Sequence, residues 1–435
     1  MLGQEDNELL CRVGPGTPMG ELFRQYWLPA IRSDELPSPD CPPLRVMLLG
    51  EPLIAFRTTS GDVGLIQNSC PHRGASLFFG RNEEEGLRCV YHGWKFDVSG
   101  ACTDMPSEPA ESNFRTKVRA RAYKTFERNG VIWAYMGPRE VPPSVPELEG
   151  NMHSENYSIS ILYRANNWMQ GIEGELDTIH AAFLHGGASQ RAPSSPPPGS
   201  FQYYTRQSPE GKFSVRETEF GTSYGMYRPA EPDSYYWRIG HLLFPCFAMP
   251  PGASTLGQDA RFLAYVPMDD YNTLEWSVGI RSPEIQAAGG AGRKYLPNTT
   301  DWHGRFVIQQ NLHNDFLIDR EAQKNWKSYT GIEGIRQQDM AMTESMGRIY
   351  NRSSEHLGTT DSMIIRTRRR YINAAKALRD HGIVPPGVDS PESYHQRSGQ
   401  VVIPRVLDWW EGTKELREKF DAKIESAIEV PISGS

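Results

Sequence analysis

Residues 70–73 read Cys70-Pro71-His72-Arg73, and residues 89–94 read Cys89-Val90-Tyr91-His92-Gly93-Trp94, with sixteen residues between His72 and Cys89. Each pair follows an apolar run, VGLIQN at 63–68 or GLR at 86–88, so each stands beside a loop at the end of a strand. Two thiolates and two imidazoles presented this way can complete a zinc tetrahedron. They can also hold a [2Fe–2S] cluster, with the cysteines on one iron and the histidines on the other. The spacing favours the cluster. A C-x-H pair is shorter than a C-x₂₋₄-C knuckle, and no H-x₃₋₅-H arm follows. The alternative of ordinary core cysteines and histidines suits one such pair far better than two.

Outward from these loops the chain is rich in short strand-like runs: LRVMLLG (44–50), PLIAFRT (52–58), VGLIQN, GLRCVYHGWKFD (86–97) and GVIWAYMG (130–137). Gly, Asp and Asn punctuate them, the pattern of a small all-β module, placed at residues 40–146. Ahead of it, residues 1–39 are expected to form a helical segment packing with the later domain, because Leu22, Phe23 and Tyr26 recur at helical spacing. Residues 147–435 read as a larger α+β domain with a curved antiparallel sheet and helices over one face. Its strands include ENYSISILYR, YYWRIGHLLFP (235–245), ARFLAYVPM (260–268) and TLEWSVGIR (273–281). Helices are expected from Trp168 through His185, in GIRQQDMAMTESMGRIYN (334–351) and in MIIRTRRRYINAAKALRDHG (363–382). The stretches 186–200 and 287–292 read as loops, the first Pro-rich and a possible lid.

The 435 residues suit two to three domains. A net charge of −7 gives no general attraction to phosphate backbones, which disfavours nucleic acid as a partner. Six cysteines in so long a chain do not make a disulfide scaffold. The start MLGQEDNELL is acidic where a secretory signal is basic, and no apolar run approaches a membrane span. These features lead to the expectation of a cytoplasmic protein with reduced cysteines and no membrane partner.

A second constellation is Glu173-Gly-Glu175-Leu-Asp177-Thr-Ile-His180, with His185 five residues on. If 177–180 is helical, Asp177 and His180 share a face. His185 then lies about 140° further round an ideal helix. Both imidazoles can meet one ion if the helix loosens near its end, before Gly186-Gly187. Two histidines and a carboxylate make the facial triad of non-haem Fe(II) oxygenases. Alone, D-x₂-H-x₄-H is a weak motif, and Asp177 is a tempting choice for the carboxylate.

Taken together, C-P-H-R…C-x-x-H-G-W followed by D-x₂-H-x₄-H resembles the Rieske ring-hydroxylating oxygenases. The resemblance implies an all-β Rieske domain, then a helix-grip (START/Bet v1-like) catalytic domain. Cys70 and Cys89 would bind one iron of the [2Fe–2S] cluster, and His72 and His92 the other. Respiratory Rieske proteins add a disulfide between their ligand loops, but Arg73, Gly74 and Ala75 leave no cysteine there. Cys102 has no obvious mate, which fits a lower-potential oxygenase cluster. Trp94 is read either as a shield over the cluster or as core packing, and Arg73 as a docking or a solvated residue. The resemblance implies His180 and His185 as ligands of a mononuclear Fe(II), with Asp339 of Gln338-Asp339-Met-Ala-Met-Thr-Glu344 as the third. Glu344, Asp315 and Asp319 are the alternatives. Asp177 is implied to be a bridge carrying electrons from the neighbouring subunit's Rieske histidine, which calls for a homotrimer or a dimer of trimers.

NDFLIDREAQ, YTGI, QQDMAMTES and RRRYINAAKALRDHGIVPPGVD resemble the phthalate and phenoxybenzoate dioxygenase group. That implies O₂ and an aromatic carboxylate as substrates and cis-dihydroxylation as the reaction. No G-x-G-x-x-G follows a strand, so electrons are expected from a separate flavin and iron–sulfur reductase. Arg206, Arg216, Arg228 and Arg238 are the candidates for a carboxylate clamp. The rival readings are a monooxygenase or O-demethylase on a substituted aromatic acid, a Rieske electron carrier without a catalytic iron, and a zinc module.

Overall fold

The alternating apolar runs ahead of residue 140 pair into antiparallel strands around one buried face. In this computed structural model, which describes residues 2–109, 111–187, 191, 194–280 and 293–422, the first sheet has six strands. They are β1 (Trp27–Arg32), β2 (Leu44–Leu48), β3 (Glu51–Arg57), β4 (Val63–Gln67), β9 (Ala122–Arg128) and β10 (Val131–Tyr135). Their order is β1-β10-β9-β4-β3-β2. A smaller sheet is built in chain order from β5 (Arg81–Glu83), β6 (Gly86–Arg88), β7 (Lys95–Phe96) and β8 (Cys102–Asp104). Ile54, Phe56, Ile66, Leu77, Leu87 and Phe96 close the core between the two sheets.

The segment before residue 40 is not wholly helical. Helices α1 (Gln4–Cys11) and α2 (Pro18–Phe23) form as the spacing suggests. WLPAIR, however, is β1, paired with β10 from Trp27↔Tyr135 to Arg32↔Val131. Its apolar side chains have no polar face to offer solvent, and although β1 is the edge strand beside β10, Trp27 to Ile31 are all buried.

A third sheet follows, with eight strands among the described residues: β11 (Tyr157–Arg164), β12 (Lys212–Glu217), β13 (Gly221–Pro229), β14 (Ser234–Leu243), β15 (Phe247–Met249), β16 (Phe262–Pro267), β17 (Thr273–Ile280) and β18 (Gly399–Pro404). The order is β11-β17-β16-β15-β14-β13-β12, with β18 added to β14. Every pairing is antiparallel. Along β14 the period of two sends Trp237 and Ile239 against Trp409 and Ile403. Tyr236 and Arg238 therefore point to the opposite face.

Helix α3 (Trp168–Leu176) crosses this sheet. Asn167 caps it, accepting from Met169 N at 3.1 Å while donating to the carbonyls of Cys11 and Asp270. Gly171 permits the close approach, since a Cβ there would stand 2.3 Å from the Tyr265 ring. Trp168, fully buried, meets Phe23 edge-on at 4.8 Å and Tyr371 at 5.2 Å. Those contacts bind α2 and α3 to the long helix α6 (Ser362–His381). Between α3 and α6, helix α5 (Ile335–Ser345) lies along the same side, and a short helix, α4 (Phe201–Gln207), follows the Pro-rich stretch. The expected loop at 287–292 lies outside the described residues, as do 188–190 and 192–193 of the Pro-rich stretch.

The expected helix from Trp168 to His185 is not continuous. Asp177 ends α3 with ψ of 83°, and Ala181–His185 forms a π turn, with Gly186 N donating to Ala181 O at 3.1 Å. Asp177 and His180 thus do not share an α-helical face. Asp177 Oδ1 instead accepts from the backbone N–H groups of Ile179 (3.0 Å) and His180 (3.3 Å), because a short carboxylate competes with the helix for its own backbone donors.

Candidate active site

Two loops of matching form carry the Cys-His pairs. Gly74 N donates to Cys70 O at 2.9 Å, and Gly93 N donates to Cys89 O at 2.8 Å. Both glycines have positive φ, 77° and 80°, which side chains adopt only under strain. Cys70 and Cys89 are buried, and burial pushes the Cys70 thiol up to about 11 in the absence of metal. His72 and His92 are half-buried with ring centroids 4.3 Å apart, and the buried Nδ1 of His72 has no hydrogen-bond partner. An imidazole nitrogen aimed inward without a partner fits a metal ligand. Trp94 stacks on His72 at 4.3 Å and 14°, and its Nε1 donates to Ser107 Oγ, so it covers that imidazole and is itself buried. Arg73 is exposed over Tyr91. Cys102 is free and buried.

The second site assembles from α5 and the π turn. His180, His185 and Asp339 bring one donor atom each within 4.8 Å of the others. His185 Nε2 is 3.0 Å and His180 Nε2 3.4 Å from Asp339 Oδ1, and the two nitrogens are 3.2 Å apart. The π turn is what makes this possible, because it brings a five-residue spacing back onto one side of the coil. Burial would raise the Asp339 carboxyl, but bonds from His180 and His185, then the charge of Arg336, hold it far below the usual range. Burial would lower His180; its bond to Asp339 and the charges of Asp339, Asp177 and Glu175 raise it overall.

Among the described residues this is the one cluster of three or more such ligands that converges on a single point. The donors of Cys70, His72, Cys89 and His92 do not converge in that way. A zinc tetrahedron, with bonds of about 2.0–2.3 Å, would hold its four donors about 3–4 Å apart. Two thiols and two imidazoles in separate pairs suit a dinuclear cluster.

The alternative third ligands lie elsewhere. Glu344 is buried beside Arg164, Asp319 caps a short helix by accepting from Ala322 N at 2.8 Å, and Asp315 is exposed in a left-handed turn. Of the four arginines, Arg206 sits on α4 and donates to Ser194 O, while Arg216 is exposed and pairs with Asp408 at 3.0 Å. Arg228 and Arg238 are buried on one face of the sheet, where the β13–β14 register pairs Arg228 with Tyr236 and Met226 with Arg238. Arg238 Nε donates to Thr178 Oγ1 at 2.9 Å, which ties it to the residue after Asp177. Burial, and then the neighbouring Arg238 charge among other influences, brings Arg228 down to about 10, and its Nη1 is buried without a partner.

Sequence reasoning passed over the charged bed beneath the triad. Arg336, half-buried with its side chain 16% exposed, binds Glu175 and stands 3.4 Å from Glu275 and 3.7 Å from Asp339 Oδ2. Tyr265 OH donates to Glu175 at 2.6 Å. The available signal was spacing: Arg336 precedes Asp339 by three on one helix, and Glu175 precedes Asp177 by two.

Residues 26–125 match the family described as the Rieske [2Fe-2S] domain, and residues 134–430 match the LigXa C-terminal domain like family. The chain is a large subunit of the Rieske ring-hydroxylating oxygenases. The oxygenase is 45% identical over 421 residues to the 3-chlorobenzoate-3,4-dioxygenase oxygenase subunit of Comamonas testosteroni, covering 93% of this chain and 96% of that one. It is 36% identical to the phthalate 4,5-dioxygenase oxygenase subunit of Pseudomonas putida, with 94% of each chain covered. It is also 32% identical to the 5,5'-dehydrodivanillate O-demethylase oxygenase subunit of Sphingobium, covering 86% of this chain and 80% of that one. Its fold is shared with dicamba monooxygenase bound to 3,6-dichlorosalicylic acid, at a TM-score of 0.56 and 16% identity over 82% of this chain and 99% of that one. The oxygenase therefore combines a Rieske domain with a His/His/Asp triad of the kind that holds a mononuclear catalytic iron, and it uses O₂ and electrons on an aromatic ring. No helix among its described residues is long and apolar enough to cross a membrane.

Proposed function

We propose that this oxygenase hydroxylates an aromatic carboxylate by cis-dihydroxylation of a phthalate-like or substituted benzoate ring, with electrons from a separate NAD(P)H-dependent flavin and iron–sulfur reductase. The observation that carries the substrate class is the pair Arg228 and Arg238. Both are buried on the sheet face tied to Thr178, and among the described residues neither has an Asp or Glu within ion-pair distance. Two neighbouring buried cations are costly unless an anion joins them. A substrate carboxylate supplies that charge and is held by charge-assisted hydrogen bonds. Arg206 and Arg216 take no part in this clamp. The relatives named for chlorobenzoate and phthalate favour the same class.

In this reading Cys70, His72, Cys89 and His92 hold the cluster, and His180, His185 and Asp339 hold Fe(II) with coordination positions left open. When bound, the iron supplies O₂ activation and the cluster supplies single electrons. The chain's own residues do the rest. Arg238 orients the acid, the buried sheet face excludes water, and Asp177 links His180 to the partner subunit's Rieske domain across a trimer interface. Asp177 suits that task, since its side chain is 33% exposed and Oδ2 lies 3.8 Å from His180 Nδ1. The catalytic sheet with its covering helices is assigned to the helix-grip class.

O-demethylation is the second reading, favoured by the dehydrodivanillate relative and the LigXa-like match. A screen of benzoates, phthalates and methoxybenzoates under ¹⁸O₂ with a compatible reductase separates the two. A cis-diol carrying two labelled oxygens supports dihydroxylation, and formaldehyde release overturns it. Arg238→Met should raise KM for the acid at least tenfold; an unchanged KM removes the clamp.

A further inference from the structure

We infer that Gln338 is a positioning residue for the iron site, fixing the tautomer and plane of His185. The inference rests on reading the triad as the iron site. His185 Nδ1 lies 2.8 Å from Gln338 Oε1. The amide's other end is committed as well, because Gln338 Nε2 donates to Ile332 O at 2.9 Å. An amide NH₂ facing a carbonyl cannot turn toward the ring without setting two oxygens against each other, so Oε1 must face His185. A bare Nδ1 against Oε1 would oppose two lone pairs, so the proton sits on Nδ1.

Nε2 is then left unprotonated, and it is the atom that points into the triad, 3.0 Å from Asp339 Oδ1 and 3.2 Å from His180 Nε2. The anchor is rigid. Ile332 is 5% exposed, packs with Phe316, Met340 and Ala341, and its carbonyl also accepts from Thr330 Oγ1 at 3.2 Å. Gln338 adjoins Asp339 on α5, so one helix supplies a ligand and the group that aims another. Among the described residues, His180 has no such amide. Its Nδ1 faces Asp177 at 3.8 Å, so the two histidines are held by different devices.

The test uses the full-length holoenzyme. Gln338→Met keeps the side-chain volume but removes the acceptor, and Gln338→Glu keeps an acceptor for Nδ1 while its carboxyl hydrogen takes over the bond to Ile332 O. Competition with an Fe(II) chelator should show iron binding weakened about 10–100-fold in Gln338→Met and within about threefold of the wild type in Gln338→Glu. The Rieske EPR signal should be unchanged in both variants, and the signal of the nitric oxide adduct of the mononuclear iron should alter in Gln338→Met alone. Wild-type iron affinity in Gln338→Met, or equal loss in both variants, overturns the inference. Two irons per chain in a fully reconstituted wild type would overturn the iron reading and this inference with it.

Discussion

Glu344 is a carboxyl taken almost wholly out of water. It is 3% exposed, and its Oε1 has no partner. Burial pushes it up to about 7, with the Arg164 charge opposing only in part. A carboxyl raised this way is bound to its proton more tightly in the folded than in the unfolded chain. Its contribution to stability is complete below pH 4.5 and is lost as pH rises through about 7. Glu344→Gln should therefore gain on the wild type by roughly 2–3 kcal/mol between pH 5 and pH 8. Denaturation curves at the two pH values check this, and an equal difference at both would refute it. Asp177 makes a different prediction. Asn retains the Oδ1 acceptor used by Ile179 and His180 N–H, so Asp177→Asn should keep both metal sites filled while turnover nearly vanishes. Loss of the mononuclear iron in that variant would make Asp177 a structural residue.

At the scale of elements, α3 and α5 carry the site on a bed of opposite charges. Arg336 faces Glu175, Glu275 and Asp339 together, so Arg336→Met leaves three carboxylates without their common cation. The expected loss is about 3–5 kcal/mol, read as a fall in the unfolding midpoint of the metal-free protein. Trp168→Ala should cost a similar amount, about 3–5 kcal/mol, by emptying the space between Phe23 and Tyr371. A shift under 1 kcal/mol in either variant would contradict the packing described. These elements also mark where the sequence could be read and where it could not. The strands of the cluster domain, α5 and α6 follow from apolar periodicity and punctuation, which are local. The Cys-His loops follow from spacing, also local. The break at Asp177 does not, because it depends on a carboxylate capturing two backbone donors in preference to continuing a helix. Nor could the four arginines be ranked, since Arg216 and Arg238 differ only in what the third dimension sets beside them: an exposed Asp408 for one, Thr178 and the sheet interior for the other.

For the whole molecule, electron transfer in the proposed reading runs between chains. The cysteines lie inward and the half-buried histidines sit at the surface of the cluster domain, with exposed Tyr91 4.0 Å from His92. A ring of identical chains repeats one such contact at every interface. Mixing a Cys89→Ser chain with an Asp177→Asn chain should then restore turnover that neither has alone. Random assortment would set an intact cluster beside an intact Asp177 at roughly a quarter of the interfaces. No recovery after subunit exchange would place the transfer within one chain.

The π turn at Ala181–His185 makes the number of residues between the two histidines part of the site. A π turn is an α-helical turn with one residue inserted. Removing a single residue between His180 and His185 would restore an H-x₃-H helix, the spacing by which zinc-protease helices grip their metal. One residue thus separates this spacing from the α-helical one. Substitutions at Ala181–Leu184 should be tolerated far better than any change in their number.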